Sequence, residues 1–313
     1  MRYGVRIAPA AMAAALLLGG CEHKELCYEH PHTSEVRVLF DWSGAPEAAP
    51  ASMTLYLFPT SASTSYRYDF TGREGGLLRA PRGEYLAGAL NGDSEVVECR
   101  NTESADRFEI TTVSSELLPG LATMGVRASG VPVAPDAADE RMAEAPDAVW
   151  SARAGAFPIR GPRDTLRMAP QDALSTCTVE IFGVEHLENV AALGASLSGM
   201  SGGFLPIAER LSDERVTVPF ELARVDATSL QGRFRVFGHC PEQAGKHALI
   251  VYAVLTDGSK WYYTYDVTEQ IHTSEDPRHI RIRLDGLPLP EPATGGFNPS
   301  VDDWQEVRID IEM

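Results

Sequence analysis

Four stretches of this chain place an apolar side chain at every second position, and that period of two restricts them to strands lying against a core on one face. From Val36 to Trp42, the residues Val36, Val38, Phe40 and Trp42 share a face while Arg37 and Asp41 take the other. The same alternation groups Trp261, Tyr263, Tyr265 and Val267, then Ile280, Ile282 and Leu284, then Val307, Ile309, Ile311 and Met313. Such patterns predict half-buried antiparallel strands.

Further strands are expected over 53–59, 65–70, 85–90, 107–113, 177–183, 216–222, 232–238 and 248–256. Asn91-Gly92-Asp93, Thr71-Gly72-Arg73, Asp257-Gly258-Ser259 and Asp285-Gly286 supply residues that suit chain reversals. Two short helices are expected, over 115–124 and 185–191. Many short strands with turn punctuation predict an all-β chain of antiparallel sandwiches.

The front of the chain points to export. Arg2 and Arg6 precede an apolar run from Ile7 to Leu18 that is too short to span a bilayer, and Leu18-Gly19-Gly20-Cys21 follows. Small residues before a cysteine suit a lipoprotein signal peptidase, so 1–20 reads as a signal peptide and Cys21 as the lipidated first residue of the mature protein. Several acyl chains make a durable tether, here over 21–35. A first domain is expected over 36–127, a linker or long loop over the Ala- and Pro-rich 128–162, and a second domain over 163–313.

The formal charge of −17, more negative once Arg2 and Arg6 leave, opposes general binding to phosphate backbones, so nucleic acid is not an expected partner. Cys27, Cys99, Cys177 and Cys240 form an even set in an oxidising compartment, which favours disulfides, and four cysteines allow three pairings. Cys177 opens one expected strand and Cys240 closes another on the same side of the linker, so these two are the expected pair of the second domain.

Candidate chemistry is sparse. His23, Cys27, His30 and His32 offer zinc-compatible donors but sit beside the lipidated end without a surrounding shell, and no metal or other cofactor is expected. Gly199-Met200-Ser201-Gly202-Gly203 matches a hydrolase nucleophile pattern, with Asp257 and His272 in a usable order, yet Pro206 opposes the helix such an elbow requires. Trp261, Tyr262 and Tyr263 would form a carbohydrate-stacking platform if they face solvent. On balance the chain is expected to bind rather than to catalyse.

The residues from Cys21 to His32 with the strand Val36 to Trp42, Pro81-Arg82-Gly83-Glu84-Tyr85 with Asn91, and the segment from Gly295 to Trp304 resemble a Bacteroidales surface lipoprotein family of unknown function. Its members are similar to fimbrillin-type pilus subunits and pilus anchors. The resemblance implies two transthyretin-like sandwich domains and a role at the outer membrane as a fimbria-related anchor, cap or adhesion module. A stand-alone surface lipoprotein that binds glycans or proteins is the alternative. In the fimbrillin scheme, stalk subunits lose their first strand to a protease and accept a neighbour's strand in the groove. A Cys27–Cys99 bridge would hold the front of the chain to the domain even after a cut following Arg37, which fits an anchor better than a stalk subunit.

Overall fold

The computed structural model describes residues 33–161, 163–241, 245–291 and 304–308. Cys21, Cys27, His23, His30, His32 and the expected signal peptide therefore lie outside the described residues, as do Ile309, Ile311 and Met313.

The first half contributes β1 (Thr33–Phe40), β2 (Ser52–Pro59), β3 (Tyr66–Thr71), β4 (Gly75–Pro81), β5 (Gly83–Asn91), β6 (Val97–Arg100), β7 (Glu109–Thr112), β8 (Arg141–Met142), β9 (Trp150–Ile159), β10 (Asp164–Met168) and β11 (Gln171–Asp172). The second contributes β12 (Ser175–Glu185), β13 (Val190–Ser201), β14 (Gly203–Leu205), β15 (Arg210–Leu211), β16 (Arg215–Glu221), β17 (Ala223–Arg224), β18 (Leu230–Val236), β19 (Ala248–Leu255) and β20 (Lys260–Asp266). A one-turn helix, α1 (Thr268–His272), leads to β21 (His279–Pro288) and β22 (Trp304–Arg308).

The chain is all-β and forms two sandwiches. In the first, a sheet ordered β10-β1-β4 faces one ordered β11-β9-β5-β2-β3. Val36, Val38 and Phe40 from β1 meet Met53, Leu55 and Leu57 from β2 and Ala87 and Ala89 from β5 in its core. In the second, β17-β18-β12-β21 faces β22-β20-β19-β13-β16-β8. Val179, Ile181, Ile280 and Ile282 there meet Leu197, Val218, Val251 and Tyr263. A smaller sheet ordered β15-β14-β7-β6 draws strands from both halves. It closes a third core in which Tyr56, Phe58 and Phe108 pack with Val149, Leu174 and Phe237.

That third core explains why β2 reads as a nearly unbroken apolar run. Its Met53, Leu55 and Leu57 fill the first sandwich, while Tyr56 and Phe58 on the opposite face are covered as well. The outer face of β19 is covered likewise: Ile250, Tyr252 and Val254 lie under Leu118, Leu121, Val131 and Ala134.

Several expectations need correction. The stretch 128–162, expected as a linker or long loop, packs into both sandwiches: it lays two 3-10 turns over the second, adds β8 alongside β16, and then supplies β9 to the first. The first sandwich consequently closes only with β10 and β11. The strands are not uniformly antiparallel either: β1 runs parallel to β10, β12 to β21, and β20 to β22.

Asp285-Gly286 does not reverse the chain. Gly286, with φ of 88°, kinks β21 opposite Gly183 on β12, and pairing resumes at Leu287. The Asp257-Gly258 hairpin does form between β19 and β20, with the Ser259 amide bonded to the Asp257 carboxylate at 2.9 Å. The two expected helices shrink to 3-10 turns at Ala122–Met124 and Leu187–Asn189.

Candidate functional site

The first strand of the described chain is β1. Its alternation buries Ser34, Val36, Val38 and Phe40 and exposes Thr33, Glu35 and Arg37. One edge of β1 pairs with β4, where Arg37 stands opposite Leu77; the other pairs with β10, where Arg37 stands opposite Thr165. The strand is thus interior to its sheet. Arg82 Nε donates to Ser34 Oγ at 3.2 Å, and Trp42 Nε1 donates to the Arg73 carbonyl at 2.8 Å, which fixes both ends of the strand. The Arg37–Val38 bond therefore lies in a doubly paired ladder, out of reach of a protease unless the strand first opens.

On the face of the β2–β5 sheet turned away from β1, a groove of about 450 Å³ opens between the edge strands β3 and β6. Thr54, Tyr56, Arg67, Asn91, Glu98 and Cys99 line it. Arg67 Nε and Thr54 Oγ1 both donate to Asp69, at 3.1 and 2.8 Å. Burial, with a further contribution from Cys99, pushes the Tyr56 hydroxyl up to about 12, so it stays a neutral donor.

The expected Cys177–Cys240 pair does not form. Cys99, Cys177 and Cys240 are free thiols. Cys177 sits on the core face of β12, opposite Phe234 on β18 and Ile280 on β21. Cys240 lies past the end of β18, where its amide bonds the Gly199 carbonyl of the facing sheet and its Sγ approaches the Asp213 carbonyl at 3.8 Å. Cys177 thus lies within the β12 sheet, whereas Cys240 lies in a loop bonded to β13 of the facing sheet. Burial pushes the Cys177 thiol up to about 12 and the Cys99 thiol up to about 11. Cys27, the expected partner of Cys99, lies outside the described residues.

The aromatic run makes no open platform. Tyr263 is buried and donates to the Pro288 carbonyl at 3.0 Å, while Trp261 is half-buried with its Nε1 on Ser259 at 3.1 Å. Tyr262 is half-buried against the core over β19, and β22 runs alongside the strand.

Ser201 ends a strand and makes no elbow. Its hydroxyl is buried between the carbonyls of Gly203 and Ser212, at 2.9 and 2.8 Å, and both are acceptors, so no base is placed to take its proton. Asp257 is engaged in its hairpin turn, and His272 meets His247 instead, Nε2 to Nε2 at 3.1 Å. His239 completes a three-histidine group that sequence reasoning missed. No local motif joins its members, since β18, β19 and α1 bring them together only through tertiary packing.

Residues 20–221 match a protein family described as "Domain of unknown function (DUF5119)". The sequence matches no curated protein. Among solved structures, the fold is shared with a candidate adhesin from Bacteroides ovatus at 20% identity and a TM-score of 0.64, covering 89% of this chain and 99% of that one. The fimbrial anchor protein Mfa2 from Porphyromonas gingivalis aligns over 81% of this chain and 90% of its own at 13% identity, with a TM-score of 0.49.

Proposed function

This chain belongs to the DUF5119 family, and from that premise we propose that it is a surface lipoprotein, tethered through Cys21, whose two sandwiches serve as an anchor, cap or adhesion module of a surface fibre. The observation that carries the reading is the position of β1 between β4 and β10. Loss of β1 would strip Val36, Val38 and Phe40 from the first core and sever the body from Cys21 in the same event. A strand so held suits a component that stays attached and folded, and it suits poorly a stalk subunit that gives up its first strand. The fold shared with a candidate adhesin agrees with a binding role.

Cell fractionation with terminal sequencing tests both halves of this reading. The wild-type chain is expected in the membrane fraction with lipidated Cys21 at its start, and Cys21→Ser in the soluble fraction or with its signal retained. Membrane-derived protein that begins at Val38 and assembles into polymers would overturn the anchor role.

A second reading, a stand-alone binder of glycans or proteins, is favoured by the groove between β3 and β6. Its volume falls within the range of small-ligand sites and its walls are polar. Glycan-array binding that is lost in Arg67→Ala, with no fibre subunits recovered by crosslinking, would favour it over the anchor.

A further inference from the structure

Three histidines converge at the joint of β18, β19 and α1. His239 follows β18, His247 precedes β19 and His272 ends α1. One ring nitrogen from each lies within 4.8 Å of the others. The rings do not stack as a column: their centroids stand 5.0, 5.4 and 5.8 Å apart, and two of the three pairs are nearly perpendicular, at 88° and 90°.

Hydrogen bonds fix which nitrogens are free to donate electrons. His247 Nδ1 lies 3.0 Å from the Ser198 carbonyl and His239 Nδ1 lies 3.1 Å from the Cys240 carbonyl. A carbonyl only accepts, so both Nδ1 atoms carry their protons and both Nε2 atoms keep a lone pair. This is the arrangement by which backbone carbonyls orient metal-ligating imidazoles.

The backbone is shaped around the His247 ring. Gly199, with φ of 77°, lies at a bulge of β13, and a Cβ there would stand 2.6 Å from His247 Nδ1. The His247 amide is held by Thr268 Oγ1 at 2.9 Å, which ties β19 to the start of α1. Neighbouring cations are occupied elsewhere. Arg215 binds Glu140 at 2.9 Å and the Lys246 carbonyl at 2.8 Å, while the Lys246 ammonium is 3.5 Å from Asp136.

We infer that His239, His247 and His272 form a binding site for one divalent first-row transition-metal ion, with a remaining position open to solvent on the exposed His272 side. Three imidazoles suit zinc, copper or nickel and are the wrong donors for calcium or magnesium, which take oxygen ligands. Tetrahedral zinc with Zn–N bonds of ~2.0–2.1 Å sets ligand nitrogens about 3.3 Å apart, close to the 3.1 Å between His247 and His272. In the metal-free state His272 Nε2 donates to His247; when the ion binds it would give up that proton, its ring carrying one on Nδ1 instead. His239 is half-buried and His272 is exposed, so side-chain rotation at these two positions can close the third arm. The bound ion would clamp the end of β18, the start of β19 and α1, a cross-link in a region where Cys240 makes none. This site is independent of the anchor reading.

The test is zinc titration by calorimetry, and cobalt titration by visible absorption, of the untagged mature chain after chelator treatment. His23, His30 and His32 are a second potential zinc sink, so a variant with all three changed to Ala is run beside His239→Ala and His272→Ala. The expected result is one equivalent of metal bound by the wild type and by the triple variant. Affinity should fall at least tenfold in His239→Ala and in His272→Ala, each with an unchanged circular-dichroism spectrum. His272 is exposed, so its replacement leaves the core intact even if a change at buried His247 does not. No binding by the wild type, or full binding retained in His239→Ala and His272→Ala, overturns the inference.

Discussion

Tyr252 carries a hydroxyl into an apolar layer, and its neighbours satisfy that hydroxyl completely. It donates to the Pro132 carbonyl at 2.7 Å and shares a hydrogen bond with Ser196 at 3.0 Å. Tyr252→Phe leaves two buried polar groups short of a partner and is expected to cost about 1–2 kcal/mol, read as a lower urea midpoint at constant slope. Glu140 has larger consequences, for its side chain is 5% exposed and its carboxylate accepts from the Gly199 amide, Thr217 and Arg215, each at 2.9 Å. Glu140→Ala strands the Arg215 guanidinium and frees the bulge of β13, so a loss of about 3 kcal/mol is expected by the same measurement. Glu140→Gln should lose less, since an amide oxygen still accepts from Gly199 or Thr217. The cysteines give a chemical readout: Cys177, buried and with its thiol raised to about 12, should resist alkylation at pH 9 in the folded protein and react only after denaturation. Peptide mapping after native labelling checks this, and early modification of Cys177 would show that the second core opens readily.

At the scale of the strand, what could be read from the sequence depended on how many faces are covered. β1 and β21 have one core face and one wet face, and β20 keeps its fully buried side chains on one face, so their alternation reports them directly. β13 is the contrary case. Its Val-Ala-Ala-Leu-Gly-Ala-Ser-Leu-Ser-Gly-Met-Ser is buried for most of its length, and small residues let neighbours press on both faces, so no period of two survives. β9, rich in Ala and carrying Pro158, shows no period of two for similar reasons, so its stretch reads as linker or long loop. Parallel pairing also escaped, because partners such as Val36 and Asp164 lie far apart in the chain and no local turn announces them. The histidine cluster was invisible on the same ground, while the hairpin at Asp257-Gly258 was plain because its signal is local. The kink in β21 gives the prediction at this scale. A Cβ at Gly286 would meet nothing within 4 Å, so Gly286→Ala should cost only the strain of a left-handed backbone, about 1–2 kcal/mol, with the sheet otherwise unchanged. A thermal melt reports it, and no loss would mean that β21 relaxes out of its kink.

At the scale of the molecule, the third core joins what would otherwise be two bodies. Phe108 is fully buried there, with ring centroids 4.8 Å from Tyr56 and 5.4 Å from Phe58. Calorimetry of the intact chain is therefore expected to give one transition, and Phe108→Ala, at a cost of about 3–5 kcal/mol, is expected to split it in two. Two resolved transitions in the wild type would instead show sandwiches that fold alone. The pairing of β1 with β10 also sets an order of events as the chain is made. β4, the partner of one edge of β1, follows it closely in the chain, but the other edge stays bare until Asp164–Met168 emerges. Through that interval the nascent protein displays an unsatisfied ladder of amides and carbonyls. Until β10 is in place, that edge is open to a foreign segment that could take the same seat.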